Sequence, residues 1–204
     1  MKVMKLIVVA PCLLTPFYVY RGPKDKEYRT AIEVRKLISS LPEDWHILAY
    51  PCPEFELLKW PRPPMSREVF EKLGIKRVIQ DIADFIGRVI TEEKPDAIIF
   101  VGVKGSPTCG VYTTTSSDPD NYPLTKIQEF FYMKKNERIS RYKDIIKVAG
   151  LNLVKGSGAL FGELMKRFGE LSNTFWVEID KDNVNPGIEN IKTIIEKIEK
   201  QPKN

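Results

Sequence analysis

Three cysteines, Cys12, Cys52 and Cys109, are the residues of this 204-residue chain best suited to chemistry. Each stands in a short segment punctuated by proline or glycine: Pro11-Cys12-Leu13-Leu14, Pro51-Cys52-Pro53-Glu54 and Ser106-Pro107-Thr108-Cys109-Gly110. An odd number of thiols, too few for a disulfide-stapled scaffold, suits a reducing compartment, where cysteines serve as ligands or nucleophiles or pack as small hydrophobes. As a nucleophile a cysteine needs a basic partner, and the only histidine, His46, lies inside an apolar run read below as a strand. As zinc ligands the three are one short of a structural site unless His46 joins them, and the paired C-x-x-C spacing of zinc ribbons is absent. A cubane iron–sulfur cluster has four corners. Three thiolates would leave one iron open, a soft Lewis acid for a substrate sulfur or hydroxide. Packing, zinc and cluster all stay open on these residues alone.

Four short apolar runs, at 3–10, 45–50, 96–103 and 175–180, are rich in β-branched or aromatic residues and predict strands. Helical spacing of apolar residues falls at 27–41, at 66–90 behind a candidate N-cap, Ser66, and at 158–168 and 187–200. Strands alternating with helices predict an α/β fold, a Rossmann-like three-layer sandwich with a mostly parallel sheet of at least four strands. Ligands of such sheets bind at the carboxyl edge of the strands. Each cysteine follows one of the first three strands by a few residues, so a strand order 2-1-3-4 brings all three to that edge.

Residues 112–154 fit this scheme least, with their Thr- and Ser-rich opening, Asp118-Pro119, Tyr122-Pro123 and the aromatic run Phe130-Phe131-Tyr132. We expect one α/β domain over 1–204 with this segment as an insertion: a lid, a subunit interface or decoration. The Gly156-Ser157-Gly158 turn matches no phosphate-binding fingerprint and reads as close packing at a helix start.

Composition narrows the partners. The chain is 43% hydrophobic and 29% charged, which excludes disordered and fibrous classes. The net charge of +5 comes from 32 basic and 27 acidic residues that alternate along the chain, so charge does not imply a nucleic-acid partner. The apolar amino-terminal run imitates a secretory signal, but Pro11 and Pro16 interrupt it and no small-x-small cleavage site follows. It is also far short of the ~20 residues of a membrane span. We read it as a buried strand and expect a cytoplasmic protein with no membrane partner.

The three cysteine segments, with Pro61-Arg62-Pro63-Pro64 after the second, resemble the C-L-L, C-P-E, P-R-P and S-P-S-C-G motifs of the thiouracil desulfurase (TudS-like) family in order and approximate spacing. The resemblance covers the chain through Gly110 and, more loosely, the Gly156-Ser157-Gly158 turn with the helix and strand beyond it. It implies a [4Fe-4S] cluster held by Cys12, Cys52 and Cys109, with the fourth iron taking the sulfur of a small thiolated substrate such as a thiolated nucleobase. Hydrolytic, non-redox release of sulfide would follow. Glu54 and Ser106, two residues after Cys52 and three before Cys109, become the acid/base candidates, and Arg62 a candidate for balancing the cluster's charge or orienting the substrate. The chain departs from the family pattern in reading C-L-L-T for C-L-L-G, in reducing R-Y-D-G to Tyr20-Arg21-Gly22, and in its Thr-rich segment after Cys109. These departures mark a divergent branch. An iron–sulfur electron-transfer or sulfur-carrier component and a metal-free α/β binding module are the competing classes.

Overall fold

The computed structural model describes residues 4–200, so Val3, at the head of the expected first strand, lies outside the described residues. Strand β1 (Lys5–Val9) runs into the short helix α1 (Pro11–Leu14) and then α2 (Asp25–Ser39). Strand β2 (Trp45–Ala49) leads to α3 (Pro53–Leu58), α4 (Arg67–Lys72) and α5 (Lys76–Glu93). After β3 (Ala97–Val103) come β4 (Thr113–Ser116), α6 (Leu124–Ile127), α7 (Lys135–Val148) and β5 (Asn152–Lys155). Helix α8 (Ala159–Phe168), β6 (Thr174–Ile179) and α9 (Asn185–Glu199) complete the order.

Strands β2-β1-β3-β6 form one parallel sheet in that order, the α/β three-layer sandwich that the alternation predicts. β1 and β3 are buried along their whole lengths, which is why they read as unbroken apolar runs. Helix α2 packs against α9, and α5 against α8. Phe100 of β3 ties the second helix pair to the sheet, stacking on Trp176 of β6 at 4.4 Å between centroids and on Phe168 of α8 at 6.0 Å. Edge strand β2 leaves His46 exposed. The chain passes from β2 across β1 to β3, so strand order reverses between β1 and β3, and the loops leaving these two strands carry Cys12 and Cys109. Among the described residues no helix is long and apolar enough to cross a membrane.

Two elements differ from the sequence pattern. The helix expected over 66–90 is two helices. Ser66 caps α4 as expected, its Oγ accepting the Val69 N–H at 3.2 Å. Gly74 then turns the backbone to φ 88°, a conformation that costs glycine little, and α5 starts afresh. Residues 112–154 hold more structure than an irregular loop. β4 and β5 pair antiparallel and close the excursion at its base, and Ile127, Phe130, Met133, Ile145 and Ala149 form a small core of its own.

The helix start at Gly158 is a docking point for the third cysteine loop. The N–H groups of Gly158, Ala159 and Leu160 donate at 2.9 Å to the carbonyls of Gly110, Pro107 and Thr108, and that of Phe161 to Thr108 at 3.2 Å. Donors that a helix start leaves unpaired are thus used by the loop. A Cβ on Gly158 would lie 2.5 Å from the Thr108 carbonyl carbon. Gly158→Ala is therefore expected to cost about 1–3 kcal/mol through overpacking, read as a lower midpoint in denaturant unfolding.

Candidate active site

The loops at the carboxyl edge of the sheet enclose a cavity of about 600 Å³, within the range of about 300–1,000 Å³ usual for small-molecule sites. Its lining includes Cys12, Cys52, Cys109, Glu54, Ser106 and Arg62, so all six site candidates named from the sequence meet in one place. Val9 and Ala49 are paired in register, and Cys12 and Cys52 each stand three residues beyond them (12 − 9 = 3; 52 − 49 = 3). Half-buried Cys12 lies in α1, and buried Cys52 is the residue from which α3 begins. Buried Cys109 sits in the loop clamped by α8. Ser106 braces that loop, its Oγ accepting the Cys109 N–H at 3.0 Å. Glu178 of β6 braces the next residues, accepting the backbone N–H groups of Val111 and Tyr112 at 2.9 Å and of Thr113 at 3.0 Å.

Each thiol has a polar neighbour. Lys181 Nζ lies 3.3 Å from Cys12 Sγ and the Tyr50 hydroxyl 3.4 Å from Cys109 Sγ, while the Phe55 backbone N–H faces Cys52. Burial pushes the Cys52 thiol up to about 12, and the Glu54 charge adds to it. Burial also pushes Cys109 well up, with the Cys12 charge adding to it. At neutral pH both stay protonated and are poor nucleophiles unless a metal removes the proton. Exposed His46 on β2 is outside the cavity lining and supplies neither a base nor a fourth ligand there.

Among the described residues no group of three or more His, Cys, Asp or Glu is spaced to hold a single metal ion. One tetrahedral ion with Zn–S bonds of about 2.3 Å would draw its sulfurs to within about 4 Å of each other. A cubane takes each thiolate on a separate iron. Three cysteines around one cavity, close enough for Cys12 and Cys52 both to raise Cys109, are compatible with a group that has separate corners.

Glu54 is held on both oxygens. Arg62, buried within the Pro61-Arg62-Pro63-Pro64 stretch, donates to Oε2 from Nε at 3.1 Å and Nη2 at 2.6 Å. Oε1 accepts from Thr108 Oγ1 at 2.8 Å, with Ser106 Oγ at 3.5 Å. Burial would lower the Arg62 pKa, but the Glu54 carboxylate more than offsets it and holds it above its ordinary value. Thr108 escaped the sequence reading although it stands beside Cys109, because only folding brings Glu54 to it. Tyr50 and Lys181 were missed for the same reason. Removing Glu54 leaves the buried Arg62 charge without its partner, and removing Arg62 leaves the largely covered Glu54 carboxylate without its own. Glu54→Gln and Arg62→Met are each expected to lose about 3–5 kcal/mol, and the double variant less than the sum, in a denaturant double-mutant cycle.

Neither a curated protein nor a solved structure matches the chain. A family model described as "Putative 2-thiouracil desulfurase" matches residues 4–197, a span that takes in every cysteine segment, Glu54, Arg62 and the loop clamped by α8. By that match the chain belongs to the 2-thiouracil desulfurase family.

Proposed function

We propose that this protein is a desulfidase that removes sulfide from a thiolated nucleobase or a similar small thio-compound by hydrolysis. The observation that carries the proposal is the meeting of Cys12, Cys52 and Cys109 with an ion-paired carboxylate, Glu54, around one cavity. The three cysteines would hold a [4Fe-4S] cluster, which when bound supplies an open iron as Lewis acid for the substrate sulfur.

The chain's own contribution is positioning and proton movement. In the net change a thiocarbonyl and water become a carbonyl and hydrogen sulfide, so nothing is oxidised or reduced. Glu54 takes a proton from water at Oε1 and returns one to the departing sulfur or to a ring nitrogen. Arg62 occupies Oε2 with two N–H groups, which fixes the carboxylate plane and leaves Oε1 for the chemistry. The hydroxyls of Thr108 and Ser106 stand next to Oε1 and can pass the proton onward. Tyr142, Ile146, Leu151 and Leu153, from the 112–154 segment, complete the lining. In this scheme the segment is the wall that keeps bulk water from the reacting carbon.

Protein purified without oxygen should contain about four iron and four acid-labile sulfide per chain, lost when any one cysteine becomes alanine. The wild type should release sulfide from 2-thiouracil, and Cys109→Ala should release none. Neither element bound after anaerobic reconstitution would overturn the proposal. Reversible reduction of a bound cluster, without turnover of any thio-compound, would favour the electron-transfer class instead. Thr108→Val is expected to lower kcat about 10²-fold, the lower end for losing an acid–base group, with iron content unchanged.

A further inference from the structure

Five cationic side chains line the cavity: Arg21, Lys26, Arg62, Lys104 and Lys181. Four are matched by carboxylates: Arg21 by Glu27 at 2.9 Å, Lys26 by Asp182 at 2.7 Å, Arg62 by Glu54 at 2.6 Å and Lys104 by Asp180 at 2.9 Å. Lys181, among the described residues, has no carboxylate within ion-pair distance, and its ammonium lies 3.3 Å from Cys12 Sγ. A lysine head ordinarily stays in water; this side chain is half-buried and reaches a thiol.

The turn that carries it is fixed. Lys181 follows β6 between Asp180 and Asp182, both engaged by other lysines. Asp180 also accepts the Asp182 N–H at 2.8 Å on its side chain and the Asn183 N–H at 3.1 Å on its carbonyl. At Cys109 the neighbour is neutral: the Tyr50 hydroxyl, on a side chain only 4% exposed.

We infer that Lys181 is a positioning residue of this site, its ammonium donating a hydrogen bond to the Cys12 sulfur and offsetting the charge of the ligand thiolates, while Tyr50 gives Cys109 the same bond without the charge. The inference rests on the proposed cluster. Three thiolates outweigh the positive charge of a cluster core and would leave the cavity with a net negative charge, and Lys181 is the lining cation that, among the described residues, has no carboxylate within ion-pair distance. A hydrogen bond to a ligand sulfur draws electron density from the metal–sulfur bond, raising the reduction potential and leaving the metal more electron-poor. A charged donor does this more strongly than a neutral one.

The experiment compares wild type, Lys181→Met, Lys181→Arg and Tyr50→Phe, all purified without oxygen. Iron per chain is measured first, then the reduction potential by titration, then sulfide release from 2-thiouracil. Lys181→Met should keep its iron, show a more negative potential and release sulfide about 10- to 100-fold more slowly. Lys181→Arg should restore both, and Tyr50→Phe should shift the potential in the same direction by less. If Lys181→Met loses its iron while Lys181→Arg keeps it, a cationic donor is required at this position and the inference stands. Iron bound with one common potential in all four proteins would overturn the inference and leave the proposed function intact; so would equal shifts in Lys181→Met and Lys181→Arg. No iron in the wild type would overturn both.

Discussion

The docking of the α8 amino terminus onto the loop of residues 106–110 is the contact on which the site depends. Four N–H groups of the helix start are satisfied by three carbonyls of that loop, so the same bonds that complete the helix hold Thr108 and Cys109 in place. The approach is backbone to backbone, with no room for a side chain at Gly158. Helix α8 is itself anchored in the core through Leu160, Phe161 and Leu164, all fully buried. The third cysteine thus inherits the rigidity of the sheet although it stands six residues past the end of β3 (109 − 103 = 6).

Charge is handled with equal economy. Burying an ion pair seldom adds stability over a well-packed apolar pair, yet the cavity lining holds two of them, Arg62–Glu54 and Arg21–Glu27. What such pairs provide is direction: fixed dipoles aimed into a site with little water to reorganise. Arg21–Glu27 also joins separate parts of the chain. Glu27 accepts the Lys24 N–H at 2.8 Å at the start of α2, and Arg21 lies over the ring of Tyr142 in α7 at 4.8 Å. Burial would raise the Glu27 carboxyl, but Arg21 and that backbone N–H outweigh it and hold it below its ordinary range. The 112–154 excursion is therefore tied to the cavity by a charged stack as well as by the β4–β5 ribbon.

Much of this was legible in the sequence because the sheet is parallel. Strands buried on both faces leave continuous apolar runs, and four such runs separated by helical periods fix the class of fold and the edge to which the three cysteine loops belong. What escaped has physical reasons. A single glycine inside a helical pattern costs only about 1 kcal/mol, so Gly74 did not register as a break. β4 is built of Thr and Ser, and β5 is exposed at every residue; a ribbon whose partners are far apart in sequence shows no apolar alternation. Thr108 and Lys181 belong to the site through neighbours 54 and 169 residues away, and no local pattern encodes such a distance.

Cysteines kept only as small hydrophobes would gain from dry, apolar surroundings. Here the surroundings are mixed: Cys109 belongs to the hydrophobic core and Cys12 packs against it, yet polar groups reach all three sulfurs. Cys12 faces an ammonium, Cys109 touches a phenol hydroxyl and, at 3.6 Å, the Thr108 hydroxyl, and Glu54 lies close enough to Cys52 to raise it. Each polar group placed beside a thiol in a half-closed cavity gives up part of its hydration, and an aliphatic side chain of the same size would serve packing better. Donors aimed at sulfur are recovered as a gain only when the sulfur carries negative charge, because a thiolate accepts far more strongly than a thiol. Burial keeps Cys52 and Cys109 protonated at neutral pH; a metal of the kind proposed above would draw that proton off. The polar groups beside these three sulfurs are thus the neighbours that the thiolates of the proposed cluster would use.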